Sequence, residues 1–249
     1  MRNNVKLILS YDGTDYFGFQ SQSSGNTIAD KLIYVLEKIN GIKTEIRCAG
    51  RTDTGVHAEG QVVNFFTEKT GIKEASWISA INSMLPKDIR VVNCEFVDEK
   101  FDARNSAFYR EYWYQITNAT SISALENRYF LLYKYSINLN LLKEYCSVLL
   151  GENDFTSFAA STDSSLSKNR YVHKAVVEKI KNHVIIKIIA NAFLHKMIRT
   201  IVGTFLKLQA ENAPPSKLKI ILDAKDRNLA GPTFPAKGLV LKKVYYENL

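Results

Sequence analysis

Apolar residues recur at every second position across residues 5–11 (VKLILSY), the alternation of a strand with one buried face. Tyr11-Asp12-Gly13-Thr14 then turns the chain, with Gly13 able to take a positive φ. After Thr27 the period lengthens. Ile28, Leu32, Val35, Leu36 and Ile39 recur at helical spacing, Thr27 stands at the N-cap position, and Gly41 stands where the helix ends. Residues 44–49 and 57–66 (HAEGQVVNFF) read as strands. Residues 74–85 place Ala75, Ile78, Ile81 and Leu85 on one helical face before Pro86 stops the helix, and residues 89–97 return to a strand. The first hundred residues therefore read β-α-β-β-α-β.

The rest of the chain predicts a similar order. Residues 106–116 form an aromatic-rich strand and residues 129–136 a further one. Residues 138–150 form a helix with Leu139, Leu142, Cys146 and Leu149 in register. Residues 171–180 and 183–190 make a hairpin turning at Lys181-Asn182. Residues 195–208 form a helix striped by Met197, Ile198, Ile201, Val202, Phe205 and Leu208. Pro214-Pro215 open another helix that runs to Ala224, a loop with Gly231, Pro232, Pro235 and Gly238 follows, and residues 239–246 close as a strand. Each half fits a split β-α-β, ferredoxin-like unit. The expected fold is α+β: two ferredoxin-like halves, residues 1–104 and 105–249, fused into one mixed, mainly antiparallel sheet with helices behind and a central active-site cleft.

Composition narrows the class. With 46% hydrophobic and 23% charged residues the chain is an ordinary globular one. No apolar run approaches the roughly 20 residues of a membrane span, and the N-terminal apolar stretch is too short for a signal-peptide core. Cys48, Cys94 and Cys146 are odd in number and form no C-x-x-C, which predicts buried thiols in a reducing compartment, so the cytoplasm is the expected location. His57, His173, His183 and His195 form no H-x-x-x-H and stand near no cysteine pair, so no metal site is expected. The excess of 33 basic over 25 acidic residues favours a polyanionic partner such as nucleic acid.

Chemistry concentrates in residues 50–58, GRTDTGVHA, which pack Arg51, Asp53 and His57 into a loop between two apolar strands. Asp53-Thr54-Gly55 imitates the triplet of an aspartic protease. Such an enzyme needs two aspartates sharing one proton. This chain has a single D-T-G, and Arg51 nearby favours ionised carboxylates over a shared proton.

The whole loop resembles the central motif of the tRNA pseudouridine synthase A family, with Thr54 where the family usually has alanine. Further segments are similar in order along the chain. Tyr11-Asp12-Gly13-Thr14 with Tyr16-Phe17-Gly18-Phe19-Gln20 resembles Y-D-G-x-x-Y-x-G-W-Q. Phe101-Asp102-Ala103-Arg104 resembles F-H-A-R, and Arg110-Glu111-Tyr112-Trp113-Tyr114 resembles R-x-Y-x-Y. Asp154-Phe155-Thr156-Ser157-Phe158 resembles D-F-x-S-F, and Phe193 through Arg199 resembles F-x-H-x-M-V-R.

The resemblance implies an isomerase that breaks the N1–C1′ bond of uridine in tRNA, turns the base and joins C5 to C1′. It implies no cofactor, a homodimer, and targets in the anticodon arm at positions 38 to 40. Asp53 is then the catalytic carboxylate. It can attack the sugar, attack C6 or remove a ribose proton, and each route needs it beside C1′ and C6. A target base must leave its stack, and an aromatic ring can hold it. By resemblance Tyr112 is that ring, Arg199 pairs with Asp53 and keeps it ionised, and Arg51 contacts the RNA and helps displace the base. Phe101, Asp102, Ala103, Arg104 and Asn105, and Phe158, Ala159, Ala160, Ser161 and Thr162, match segments that touch tRNA. Asp102, Asn105 and Ala159 depart from the pattern, and an acid facing phosphates costs affinity, for which Lys168, Arg170 or Lys174 can compensate. A non-catalytic RNA-binding protein would share the basic surface, and a related synthase would act at another tRNA position.

Overall fold

The computed structural model describes residues 2–23 and 25–249. The chain divides into two compact units, Met1–Phe108 with Leu241–Leu249, and Tyr109–Val240. The described residues form a mixed α+β fold with ten strands and five α-helices.

The first unit follows the expected order: β1 (Asn3–Tyr11), α1 (Ile28–Asn40), β2 (Ile46–Cys48), β3 (His57–Thr67), α2 (Glu74–Met84) and β4 (Ile89–Val97). β1 lies antiparallel between β3 and β4, and β2 pairs antiparallel with β3. Val5, Leu7 and Leu9 are fully buried, as their alternation requires. The Thr27 hydroxyl accepts from the Asp30 backbone N–H at the start of α1. Gly41, at φ 75°, ends the helix and donates its N–H to the Glu37 carbonyl. The buried face of α2 differs from expectation. Trp77 and Ile81 fill the core while Ala75 is exposed. An indole removes far more apolar area from water than a methyl group does, so Trp77 sets the rotation of the helix. Its ring packs edge-on against Phe65 with centroids 5.5 Å apart.

The second unit contains β5 (Tyr109–Thr117), β6 (Leu131–Leu132), α3 (Leu139–Val148), β7 (Gly151–Asp154), β8 (Asn169–Ile180), β9 (His183–Ala190), α4 (Met197–Ala210) and α5 (Pro215–Ala224). β10 (Leu239–Tyr245) begins in this unit and ends in the first. The order β5-β9-β8-β7 is antiparallel throughout, and β6 joins β5 in parallel. The hairpin between β8 and β9 turns as expected, with Lys181 at φ 55°.

Several expected limits shift. β5 starts at Tyr109 rather than residue 106, because the Ser106 N–H is spent on the Asp102 carbonyl in the preceding turn. The strand expected over residues 129–136 shrinks to two residues. The Tyr129 and Phe130 N–H groups close a 3₁₀ turn on Glu126, and the Asn118 amide takes the carbonyls of Tyr133 and Tyr135. β7 is an added strand that the apolar pattern of Gly-Glu-Asn-Asp does not show. α4 begins at Met197, because Lys196 has φ 62° and the His195 N–H donates to Asp163. The expected stripe of α4 is buried, and so are Thr200, Gly203, Thr204 and Gln209. The Thr204 hydroxyl donates to the Thr200 carbonyl, and Gln209 bonds the backbone of Ser136 and Asn138, so these buried polar groups are satisfied. No helix among the described residues is long and apolar enough to cross a membrane.

Candidate active site

Asp53 sits on the loop between β2 and β3, and residues 11–19 pin that loop from beneath. Phe19 donates its N–H to the Thr52 carbonyl at 3.0 Å, and Gly55 donates to Tyr16 at 3.3 Å. The Tyr11 and Thr52 hydroxyls are bonded at 2.8 Å, and the Gln61 amide donates to the Gly50 carbonyl at 2.6 Å. Burial pushes the Tyr11 phenol well above its ordinary pKa, which keeps it a neutral hydrogen-bonding strut. Two glycines make the close approach possible. A Cβ on Gly13 would overlap the Val56 carbonyl. A Cβ on Gly18, whose φ is +85°, would lie 2.6 Å from the Thr52 oxygen and 3.1 Å from the Asp53 carbonyl carbon. Within the loop, Val56 donates its N–H to the Asp53 carbonyl at 3.1 Å. Buried His57 closes it: Nδ1 accepts from the Gly13 N–H at 3.1 Å and lies 3.2 Å from an Asp12 oxygen. Asp53 is half-buried, while Arg51 and Thr54 are exposed. The side chain that creates the protease-like triplet therefore points into open surroundings.

Two basic groups lie near Cys48, at the end of β2 that leads into this loop. Burial raises the Cys48 thiol pKa, and the charges of Arg51 and Arg104 oppose that rise, so both guanidinium groups lie in its surroundings. The turn at residues 101–105 is firmly built. Ala103 N–H donates to Asn64 Oδ1 at 2.9 Å, Asn64 Nδ2 donates to Asn4 Oδ1 at 2.9 Å, and the Tyr246 hydroxyl donates to the Ala103 carbonyl. Phe101 packs on Tyr246 with ring centroids 4.9 Å apart. Asp102 does not stand as an unpaired acid. One of its oxygens accepts from the N–H groups of Arg104 and Asn105, both at 2.9 Å, and the other accepts from Arg47 at 2.9 Å. Burial works against its ionisation, but those N–H groups and Arg47 outweigh it and hold the carboxyl below its usual range. Arg47 was missed in the sequence. An aspartate standing where histidine is usual was the available signal that a counter-charge must be near.

The second unit holds the other expected site residues. Tyr112 lies on β5, only 6% exposed, with its ring edge-on to Phe193 at 5.1 Å. Arg199 is half-buried in the first turn of α4, and its Nε donates to the Phe234 carbonyl at 2.7 Å. Burial raises the Tyr114 phenol pKa against the opposing charge of Arg199. Phe158 and Ala159 are buried packing residues, whereas Ser161 and Thr162 are exposed. The Ala160 N–H donates to the His195 carbonyl, and the Thr162 hydroxyl lies 3.0 Å from His195 Nδ1, so this segment is tied to the one that carries Arg199. Of the basic residues that could compensate for Asp102, Lys168 is bonded to Asp163, Arg170 to the carbonyls of Ser167 and Asn169, and Lys174 is exposed. No group of three or more His, Cys, Asp or Glu among the described residues could hold a metal ion.

A carboxylate on a glycine-pinned loop with arginines around it, in a chain of net charge +8, is the equipment of a protein that acts on a polyanion. The profile described as tRNA pseudouridine synthase matches residues 7–104 and 146–247, and the chain belongs to that family. Its relatives include the tRNA pseudouridine synthase A of Borrelia turicatae, 40% identical over 239 residues that cover 96% of this chain and 97% of the relative. That of Treponema denticola is 40% identical over 250 residues, covering 98% and 93%. That of Geobacillus kaustophilus is 36% identical over 249 residues, covering 100% and 96%.

Proposed function

We propose that the protein isomerises uridine to pseudouridine in tRNA, at positions 38, 39 and 40 of the anticodon arm, as a cytoplasmic homodimer. The observation that carries this reading is Asp53, the only carboxylate of the family's central motif, held on a loop whose backbone is fixed at both ends by residues 11–19. In the reaction N1–C1′ breaks, C5–C1′ forms, the C5 proton leaves and N1 takes up a proton. Asp53, ionised, attacks or deprotonates beside C1′ and C6. Arg51 and Arg104 supply positive charge for the phosphates near that loop. Tyr112 supplies a ring against which a displaced base can rest, and Arg199 supplies a fixed positive charge for the reacting nucleotide. The arrangement needs no cofactor.

Asp53→Asn is expected to abolish tritium release from tRNA labelled at uridine C5 while leaving tRNA binding within about twofold, since the exchange is isosteric and removes only the charge. Pseudouridine formation by that variant would overturn the reading. Binding without turnover by the unaltered protein would instead make it an RNA-binding protein. Mapping pseudouridines in cells with and without the protein tests the positions, and losses outside 38 to 40 would reassign the target.

A further inference from the structure

We infer that the loop at residues 231–235 is a clamp that sets the plane of the Arg199 guanidinium, with Thr233 as its positioning residue. The inference rests on the role proposed for Arg199. The loop is joined to α4 at four points. Gly231 donates its N–H to the Thr204 hydroxyl at 2.8 Å. Gly203 has no side chain, and a Cβ there would overlap the Pro232 carbonyl. The Thr233 hydroxyl lies 3.0 Å from that of buried Thr200 and accepts from Arg227 Nη2 at 3.1 Å. The Thr233 hydroxyl thus ties Arg227 and Thr200 together at one point. Phe234 then meets Arg199 twice, its N–H on the Arg199 carbonyl at 3.1 Å and its carbonyl on the Arg199 Nε at 2.7 Å. The Tyr114 hydroxyl anchors the next carbonyl, that of Pro235, at 2.8 Å.

These bonds have a geometric consequence. A guanidinium is a planar fork. With Nε–H bonded to a fixed carbonyl, the plane is set and the two Nη groups are presented in one direction. A lysine in place of Arg199 would keep the charge but has no Nε–H for the carbonyl to hold. The Thr233 hydroxyl bonds Thr200 and Arg227, and its neighbour Phe234 bonds Arg199. Through its hydroxyl Thr233 fixes the height of the Phe234 carbonyl above α4.

The test compares Thr233→Val, which keeps the shape and removes the hydroxyl, with Thr233→Ser, which restores it. Both are assayed by tritium release over a range of tRNA concentration with full-length protein. Thr233→Val is expected to lose about tenfold in kcat with KM for tRNA unchanged, because a small misplacement of a charge partner weakens the chemical step more than binding. Thr233→Ser should recover kcat. A merely structural role would lower the melting temperature and leave kcat per folded enzyme unchanged, and that outcome overturns the inference. Arg199→Ala in the same series separates the two readings. If it is inactive while Thr233→Val has wild-type kcat, the clamp fails and the role of Arg199 stands. If Arg199→Ala turns over normally, the proposed role of Arg199 fails, and the clamp with it.

Discussion

Replacing Gly18 by alanine tests whether the backbone that carries Asp53 is held from beneath. The new Cβ would stand 2.6 Å from the Thr52 oxygen, where ordinary contact begins at 3.4 Å, with the Asp53 carbonyl carbon and Thr54 nitrogen at 3.1 Å. None of these atoms ends a flexible side chain, so the loop itself must lift by several tenths of an ångström. The same residue has φ +85°, a conformation that costs an L side chain about 1–2 kcal/mol. Overpacking against fixed backbone adds about 1–3 kcal/mol. The expected loss of stability is therefore about 2–5 kcal/mol, measured by urea denaturation. Lifting the loop also stretches the 3.0 Å bond from the Phe19 N–H to Thr52 and moves Asp53 with it. Displacements approaching 1 Å cost about a hundredfold in rate. Single-turnover tritium release with enzyme in excess over labelled tRNA reads that loss without interference from product release. A variant that folds with unchanged stability and unchanged single-turnover rate would refute the claim that the glycine contact holds Asp53.

Three further outcomes follow from the same geometry. Thr54→Ala should leave turnover within about twofold, because an exposed side chain cannot crowd the carboxylate; a tenfold gain in steady-state rate would contradict that. Asn64→Ala should cost about 2–3 kcal/mol and speed hydrogen exchange at the Ala103 amide, since it strips partners from Asn4 and from the turn at residues 101–105. Undiminished protection of that amide would show the network is not what holds the turn. Asp163 is largely buried, yet its bonds to Lys168 and to the N–H groups of His195 and Ser165 outweigh burial and depress its pKa. A depressed folded pKa gives stabilisation that is complete above the unfolded value of about 4 and is lost as pH falls through the folded one. The stability gap between the protein and Asp163→Asn, from denaturant melts, should thus be widest near neutral pH and narrow below about pH 4; a gap independent of pH would contradict it.

Local signals were legible where the physics is local. Thr27 and Gly41 mark the ends of α1 because a cap satisfies backbone groups only three or four residues away. The alternation in β1 and the stripe in α4 report one buried face each, and that face is buried. The rotation of α2 was not legible, because it is set by the packing of Trp77 on Phe65, a residue of another strand. The strand expected over residues 129–136 failed for a similar reason: Asn118, more than ten residues earlier, takes the carbonyls that a ladder would have used.

The candidate site divides the same way. Asp53, Tyr112 and Arg199 stand out as residue types at motif spacing, and so do Gly13 and Gly18. Why those glycines are needed is not written near them. The atoms that occupy the place of their missing side chains belong to residues 52–56. Likewise Asp102 reads as a misplaced charge until Arg47 is seen beside it, and Thr233 reads as a loop residue until Thr200 and Arg227 meet it. By itself the sequence determined the order of elements in the first unit, the caps of α1 and the family motifs, because periodicity and capping act over a single turn of chain. Tertiary structure alone decided which backbone presses on the Asp53 loop and which carbonyl holds Arg199, because those contacts join residues tens of positions apart and leave no period to read.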